Sequence, residues 1–324
     1  MACCVVAIHT HPLENCNNEL IINIYDAIVS RAVPFFFLAS GFLLASKLKR
    51  PIYVEQNLKI VRKYLHKFIG MYLIWSIVYL PIAVYHFISD GTGIAKAILL
   101  YIRGFIFVGE QYNSWQLWYL LSTIYTLILI ICLLKYKFTL PRIVMVGFIL
   151  WGIHIIVYYL VRYDGGIAII LLLQSLVKYT FTSGRMLIGM FYFPIGMALS
   201  NKRLPIVVTW AMLVSGFLLD VMIDSELIDM LLIGPIASIG LFGVVESFDL
   251  EDAPIYSFVR SMSTVIYFIH MYVWSVYYKI VYGEVTYGTD CFIVTTGICL
   301  AISVIYVSHN NKNGIDNIVS RTNG

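Results

Sequence analysis

Apolar runs of close to twenty residues recur from one end of this chain to the other, and nothing else in the sequence narrows its fold as much. About 20 residues is what an α-helix needs to cross the hydrocarbon layer of a bilayer. With no water in that layer, every backbone N–H and C=O must be satisfied within the protein, so only helices or a closed barrel can span it. Barrel strands alternate apolar and polar residues, whereas residues 117–134 and 228–245 are apolar all round. The expected fold is therefore all-α: a polytopic membrane protein with about ten transmembrane helices.

The ten segments are 2–12, 27–46, 68–88, 115–134, 143–160, 186–200, 204–221, 228–246, 259–281 and 291–308. Residues 94–107 and 167–182 are apolar but carry Lys96, Arg103 and Lys178, which suits interfacial or re-entrant helices. Hydrophobic residues make up 60% of the chain and charged ones 12%, about half the charged share of a soluble domain. No second composition regime interrupts this, so a single membrane domain over 1–324 is expected. The first segment is short for a span, and the favoured expectation is that its helix is truncated at the N-terminus. An in-frame upstream segment would then add about ten to fifteen mostly apolar residues. Residues 2–12 lack the basic start and small-residue cleavage site of a signal peptide. Cys3, Cys4, Cys16, Cys132, Cys291 and Cys299 have neither metal-ligand nor disulfide-framework spacing. A net charge of +4 gives no reason to expect a nucleic-acid partner; the expected surroundings are a lipid bilayer.

Basic residues set orientation. Residues 47–67, read as a loop, hold Lys47, Lys49, Arg50, Lys59, Arg62, Lys63 and Lys67. Lys135, Lys137, Arg142, Lys202, Arg203, Arg260, Lys312 and Arg321 fall on the same side, fifteen of the 22 in all. That side is expected to be cytoplasmic, with the C-terminus inside and the acidic stretch 220–229 outside, in the cell (plasma or inner) membrane.

Ionisable groups among apolar residues are costly and mark function. His9, Arg31 and His270 are of this kind. Each also has a plain reading: an interfacial histidine bonded to a carbonyl, a snorkelling arginine, a histidine bonded between helices. Glu110, Tyr112, Trp115, Trp118 and Tyr119 cluster at the start of the fourth segment, where interfacial aromatics are expected in any case. Pro34 and Gly41, and Pro194 and Gly196, can open the helical ladder.

The stretches VVAIHTHP (5–12), SRAVPFFFLASGFLL (30–44), WQLWYLLSTIY (115–125) and RSMSTVIYFIHMYVW (260–274) resemble, in order and spacing, the acyltransferase 3 family of membrane O-acyltransferases. In wording they are most similar to the membrane domain of the serine/alanine racemases of vancomycin resistance, whose soluble racemase domain is not expected within residues 1–324. The resemblance implies acyl transfer, usually of acetyl, from a cytoplasmic acyl-CoA to a hydroxyl of an envelope glycan or lipid-linked acceptor, with no permanently bound cofactor. It implies catalytic roles for His9 and Arg31, and acceptor contacts from Glu110, Trp115, Trp118, Tyr119 and His270. The family's paired arginines before the third helix are replaced here by Arg62, Lys63 and Lys67, which would meet the CoA phosphates. That substitution puts the contact in doubt, because lysine cannot hold a phosphate bidentately. The racemase likeness implies the alternative of supplying a small amino acid such as serine, and a truncated chain could also be inactive.

The orientation is checked by cysteine labelling from outside the cell. A cysteine at position 224 should be modified and one at position 56 spared; the reverse pattern overturns the assignment of sides.

Overall fold

Proline and capping residues decide where these apolar runs break. The structure is a computed structural model. It describes the backbone of residues 1–181, 184–223, 225–251 and 253–322, and the side chains of all of these except 168, 180, 181 and 311–322. Position 224 and the side chains of Lys312 and Arg321 thus lie outside the described residues.

No strand occurs among the described residues. The helices are α1 (Ala2–Thr10), α2 (Glu19–Val29), α3 (Ala32–Ala45), α4 (Glu55–Ser89), α5 (Ile94–Arg103), α6 (Leu117–Lys135), α7 (Leu140–Val161), α8 (Ala168–Phe181), α9 (Met186–Asn201), α10 (Ile206–Met222), α11 (Glu226–Ile228), α12 (Gly234–Glu246), α13 (Pro254–Val281) and α14 (Thr289–Thr322). π-helical turns continue α5 at Gly104–Val108 and precede α12 at Asp229–Ile233.

Six helical stretches are long and apolar enough to cross a membrane: Glu19–Ala45, Glu55–Ser89, Leu117–Lys135, Leu140–Val161, Glu226–Glu246 and Thr289–Asn310. Ten are not established. α9 and α10 are apolar but have 16 and 17 residues, α1 has nine, and the first half of α13 carries Ser257, Arg260, Ser261, Ser263 and Thr264.

Three local expectations change. The second segment is two helices, because Pro34 would press its ring on the Ser30 carbonyl of a continuous helix; the chain turns at Ser30 and Arg31. Residues 47–67 are only partly a loop. α4 starts at Glu55 and carries Lys59, Arg62, Lys63 and Lys67, since residues 55–69 contain no Gly or Pro to stop it. The stretch 220–229 is likewise mostly helical, with Asp220 on α10 and Glu226 on α11.

The chain divides into two compact units, residues 1–32 with 249–324, and residues 33–248. In the first, α1 packs against α13 and α14 through Ala2, Val6, Ile266 and Cys299, with Ile269, Val273 and Phe292 around them. Three carbonyls at and just beyond the end of α1 find donors outside the helix. Ala7 O accepts from Tyr25 OH at 2.8 Å, Thr10 O from Gly288 N–H at 2.8 Å and Pro12 O from Thr289 Oγ1 at 2.6 Å. A helix this short is marginal alone and is held by these contacts.

In the second unit α3 and α9 meet backbone to backbone. A Cβ on Gly41 would lie 2.0 Å from Phe193 O, and one on Gly196 would lie 2.0 Å from Leu38 O. Small residues at such crossings let helices gain dispersion contacts where no water can be expelled. Gly41→Ala or Gly196→Ala should therefore cost about 1–3 kcal/mol or more. Gly70→Ala and Gly152→Ala, with nothing within 4 Å, should be near neutral. Thermal unfolding in detergent checks this; equal losses at all four positions would contradict the close crossing.

Candidate functional site

His9 and His270 come from opposite ends of the sequence and stack, ring centroids 5.5 Å apart and planes 24° apart. Both belong to the first unit, His9 in the last turn of α1 and His270 midway along α13. His270 is fully buried. Its Nδ1 lies 3.1 Å from Ile266 O. A carbonyl only accepts, so Nδ1 carries the proton and Nε2 keeps its lone pair. Nε2 is buried, with no hydrogen-bond partner among the described residues. The two histidines meet face to face, and no hydrogen bond from His270 Nε2 joins them. Four residues on, Trp274 is also fully buried and donates Nε1–H to Thr286 O at 3.1 Å, fixing this face of α13.

Rotation by about 200° over two residues would put His11 on the far side of α1 from His9, but His11 is not helical. α1 ends at Thr10, and His11 caps it with φ 43°, its ring edge-on to Tyr287 at 5.1 Å. Arg31, in the same unit, is buried at the turn between α2 and α3.

The second unit holds Glu110. The segment from 109 to 116 folds over the end of α5. Gln111 Nε2 donates to Leu100 O at 3.1 Å and Tyr101 O at 2.7 Å. Gly104 makes room, since a Cβ there would strike the Gln111 amide. The carbonyls loosened by the π turn are taken up too, Phe105 O by Tyr72 OH and Ile106 O by Tyr125 OH, each at 2.7 Å. On this frame a cleft of about 270 Å³ opens between Phe87, Arg103, Glu110, Gln111, Tyr112 and Trp115. Arg185 Nη1 is 3.4 Å from Glu110 Oε2. Burial raises the Glu110 pKa more than Arg185 and Arg103 lower it. Arg103 donates to the α8 carbonyls of Tyr179 and Lys178. Tyr112 donates to Asp90 Oδ2 at 2.8 Å and stacks on His86.

Trp118 and Tyr119 pack on Phe37, with centroids 6.0 and 4.6 Å away, and Tyr119 OH is 2.8 Å from Ser40 Oγ. Arg62, Lys63 and Lys67 are exposed along α4. A second cavity, about 580 Å³, lies between Arg50, Tyr53, Thr139, Pro141, Asn201 and Lys202. Its 49–52 wall is held by buried Asn57, which bonds Lys49 N, Lys49 O and Ile52 O. Among the described residues no cluster of three or more His, Cys, Asp or Glu could hold a metal.

Sequence reasoning passed over Arg103, Gln111 and Arg185. The signal it held was an arginine ending an amphipathic helix, but pairing Arg185 with Glu110 is a tertiary fact.

Comparison with curated proteins finds an amino-acid racemase of Enterococcus faecalis, 37% identical over 133 residues. The match covers 40% of this chain and 18% of the racemase, so it spans about a fifth of that relative's length. No family model matches the sequence, and no solved structure does.

A carboxylate with a raised folded-state pKa binds its proton more tightly when folded. It thus favours the fold at pH below its ordinary value and loses that contribution as pH rises through its raised one. Glu110→Gln should flatten the fall in thermal midpoint between about pH 4.5 and the raised pKa, measured on the purified protein in detergent. An unchanged slope would mean that Glu110 is not desolvated.

Proposed function

We propose that this chain is a membrane unit that supplies a small amino acid, such as serine, across the bilayer to a racemase-type enzyme. The observation that carries the reading is the stacked His9–His270 pair, together with the 37% identity to an amino-acid racemase. Buried ionisable side chains in apolar helices are retained for substrate or proton passage. His270, its Nδ1 held by Ile266 O and its Nε2 open, would bind a proton or a polar group that arrives in the plane of its ring as substrate moves. The reading carries the finer topology as well: ten passages, a cytoplasmic C-terminus and a plasma-membrane location.

A second reading, acyltransferase 3-type chemistry, is favoured by one specific observation. His9, the histidine its resemblance marks, is stacked on a second histidine that is itself oriented by the backbone. His9 would take the proton of an acceptor hydroxyl as its oxygen attacks the thioester carbonyl of acyl-CoA. Arg31 would stabilise the oxyanion. Collapse of that intermediate would break the C–S bond, and the His9 proton would pass to the departing thiolate, leaving the O-acyl ester. Arg62, Lys63 and Lys67 would draw in the CoA phosphates, and Trp115, Trp118 and Tyr119 would line the acceptor path.

Both readings are tested on one set of strains. Cells expressing the full chain should take up labelled serine faster than the deletion strain. His9→Ala and His9→Gln should each lower that rate about 10²-fold or more at equal protein level, and His11→Ala should not. Loss of envelope O-acyl groups in the deletion strain with unchanged serine uptake would overturn the first reading in favour of the second.

A further inference from the structure

The cleft beside Glu110 is not used by the histidine chemistry and has a composition of its own. It sets a carboxylate, Glu110, beside two guanidiniums: Arg103 in its wall and Arg185 at 3.4 Å. The aromatic faces of Phe87, Tyr112 and Trp115 enclose the rest. Two of the five guanidinium donors of Arg103 are spent on α8 carbonyls, so its plane is fixed. Gln111 is fixed as well, by Leu100 O and Tyr101 O, and Tyr112 by Asp90 and His86. The walls are therefore preorganised by their own hydrogen bonds.

We propose that this cleft binds a free small α-amino acid, its ammonium group on Glu110 and its carboxylate toward Arg103 and Arg185. The inference rests on the amino-acid reading above and gives that reading a recognition site. Three observations select this ligand. Both signs of charge face one small volume, which suits a molecule carrying both; a neutral sugar needs neither. The volume, about 270 Å³, has room for a small amino acid. Finally, Arg185 and Arg103 together do not offset the burial of Glu110, and the Arg185 side chain is 52% exposed. A carboxylate accepts more than one partner, and an ammonium at Glu110 would add a further positive neighbour.

The test is calorimetric titration of the purified full-length protein in detergent with L-serine, L-serine methyl ester and N-acetyl-L-serine. L-serine should bind, and both blocked forms should bind at least tenfold more weakly, because each removes one charge. Glu110→Gln should weaken L-serine at least tenfold, and Arg103→Lys should do so while leaving the thermal midpoint near that of the wild type. Equal binding of all three compounds to the wild type overturns the proposal without recourse to any variant. So does undiminished L-serine binding by both variants. Serine uptake that persists unchanged in Glu110→Gln cells would overturn this site while leaving the supply reading standing. Absence of both uptake and binding in the wild type would overturn the two together.

Discussion

A peptide group withdrawn from water must find a partner within the protein, and each irregular stretch of this chain is shaped by that demand. A continuous helix meets it automatically. Where a helix stops or loosens, a side chain steps in: Gln111 at the end of α5, Tyr72 and Tyr125 at the π turn, Asn57 at the bend from 49 to 52. Each unpaired group would otherwise cost about 1–3 kcal/mol. The polar residues of the second unit are thus spent mainly on backbone, and this is how non-helical segments persist beside long apolar helices. The Glu110 cleft is a by-product of such bracing, since the segment that covers α5 also carries Glu110, Tyr112 and Trp115.

The histidine pair obeys the same rule with one exception left in place. His270 gives its Nδ1 proton to Ile266 O and leaves Nε2 unsatisfied in a fully buried position. The buried ring thus keeps an acceptor open next to another titratable ring, and Trp151 Nε1 and Ser238 Oγ are likewise buried without a hydrogen-bond partner among the described residues.

Much of the architecture was legible because apolarity over a lipid-length run is a one-dimensional signal. All-α character, the cores of the six membrane-length stretches and the importance of Pro34 can be read without coordinates. Helix ends could not be. Lys59, Arg62, Lys63 and Lys67 look like a loop when only hydropathy is followed, yet Lys and Arg are good helix formers and α4 runs through them. His11 was placed by helical rotation, a rule that fails one residue past the end of α1, where the backbone turns left-handed. Of the candidate site residues, His9, Arg31 and His270 stand out one by one by charge in apolar surroundings, and Glu110 by its place among interfacial aromatics. That His9 meets His270, or Glu110 meets Arg185, depends on tertiary packing between residues far apart in sequence, on which periodicity is silent.

The anchoring of α1 has a consequence for the order in which the protein is made. The hydroxyl of Thr289 holds the carbonyl of Pro12 across a separation of 277 residues, and Gly288 holds Thr10. Ribosomes add about 5–20 residues per second, so the first helix emerges roughly fifteen seconds to a minute before its partners exist. During that interval the chain from 33 to 248 can insert and pack, while the carbonyls of Thr10 and Pro12 wait for their donors. The histidine pair is therefore assembled last, and a ribosome that stalls before α13 leaves a protein with most of its helices and no paired histidines.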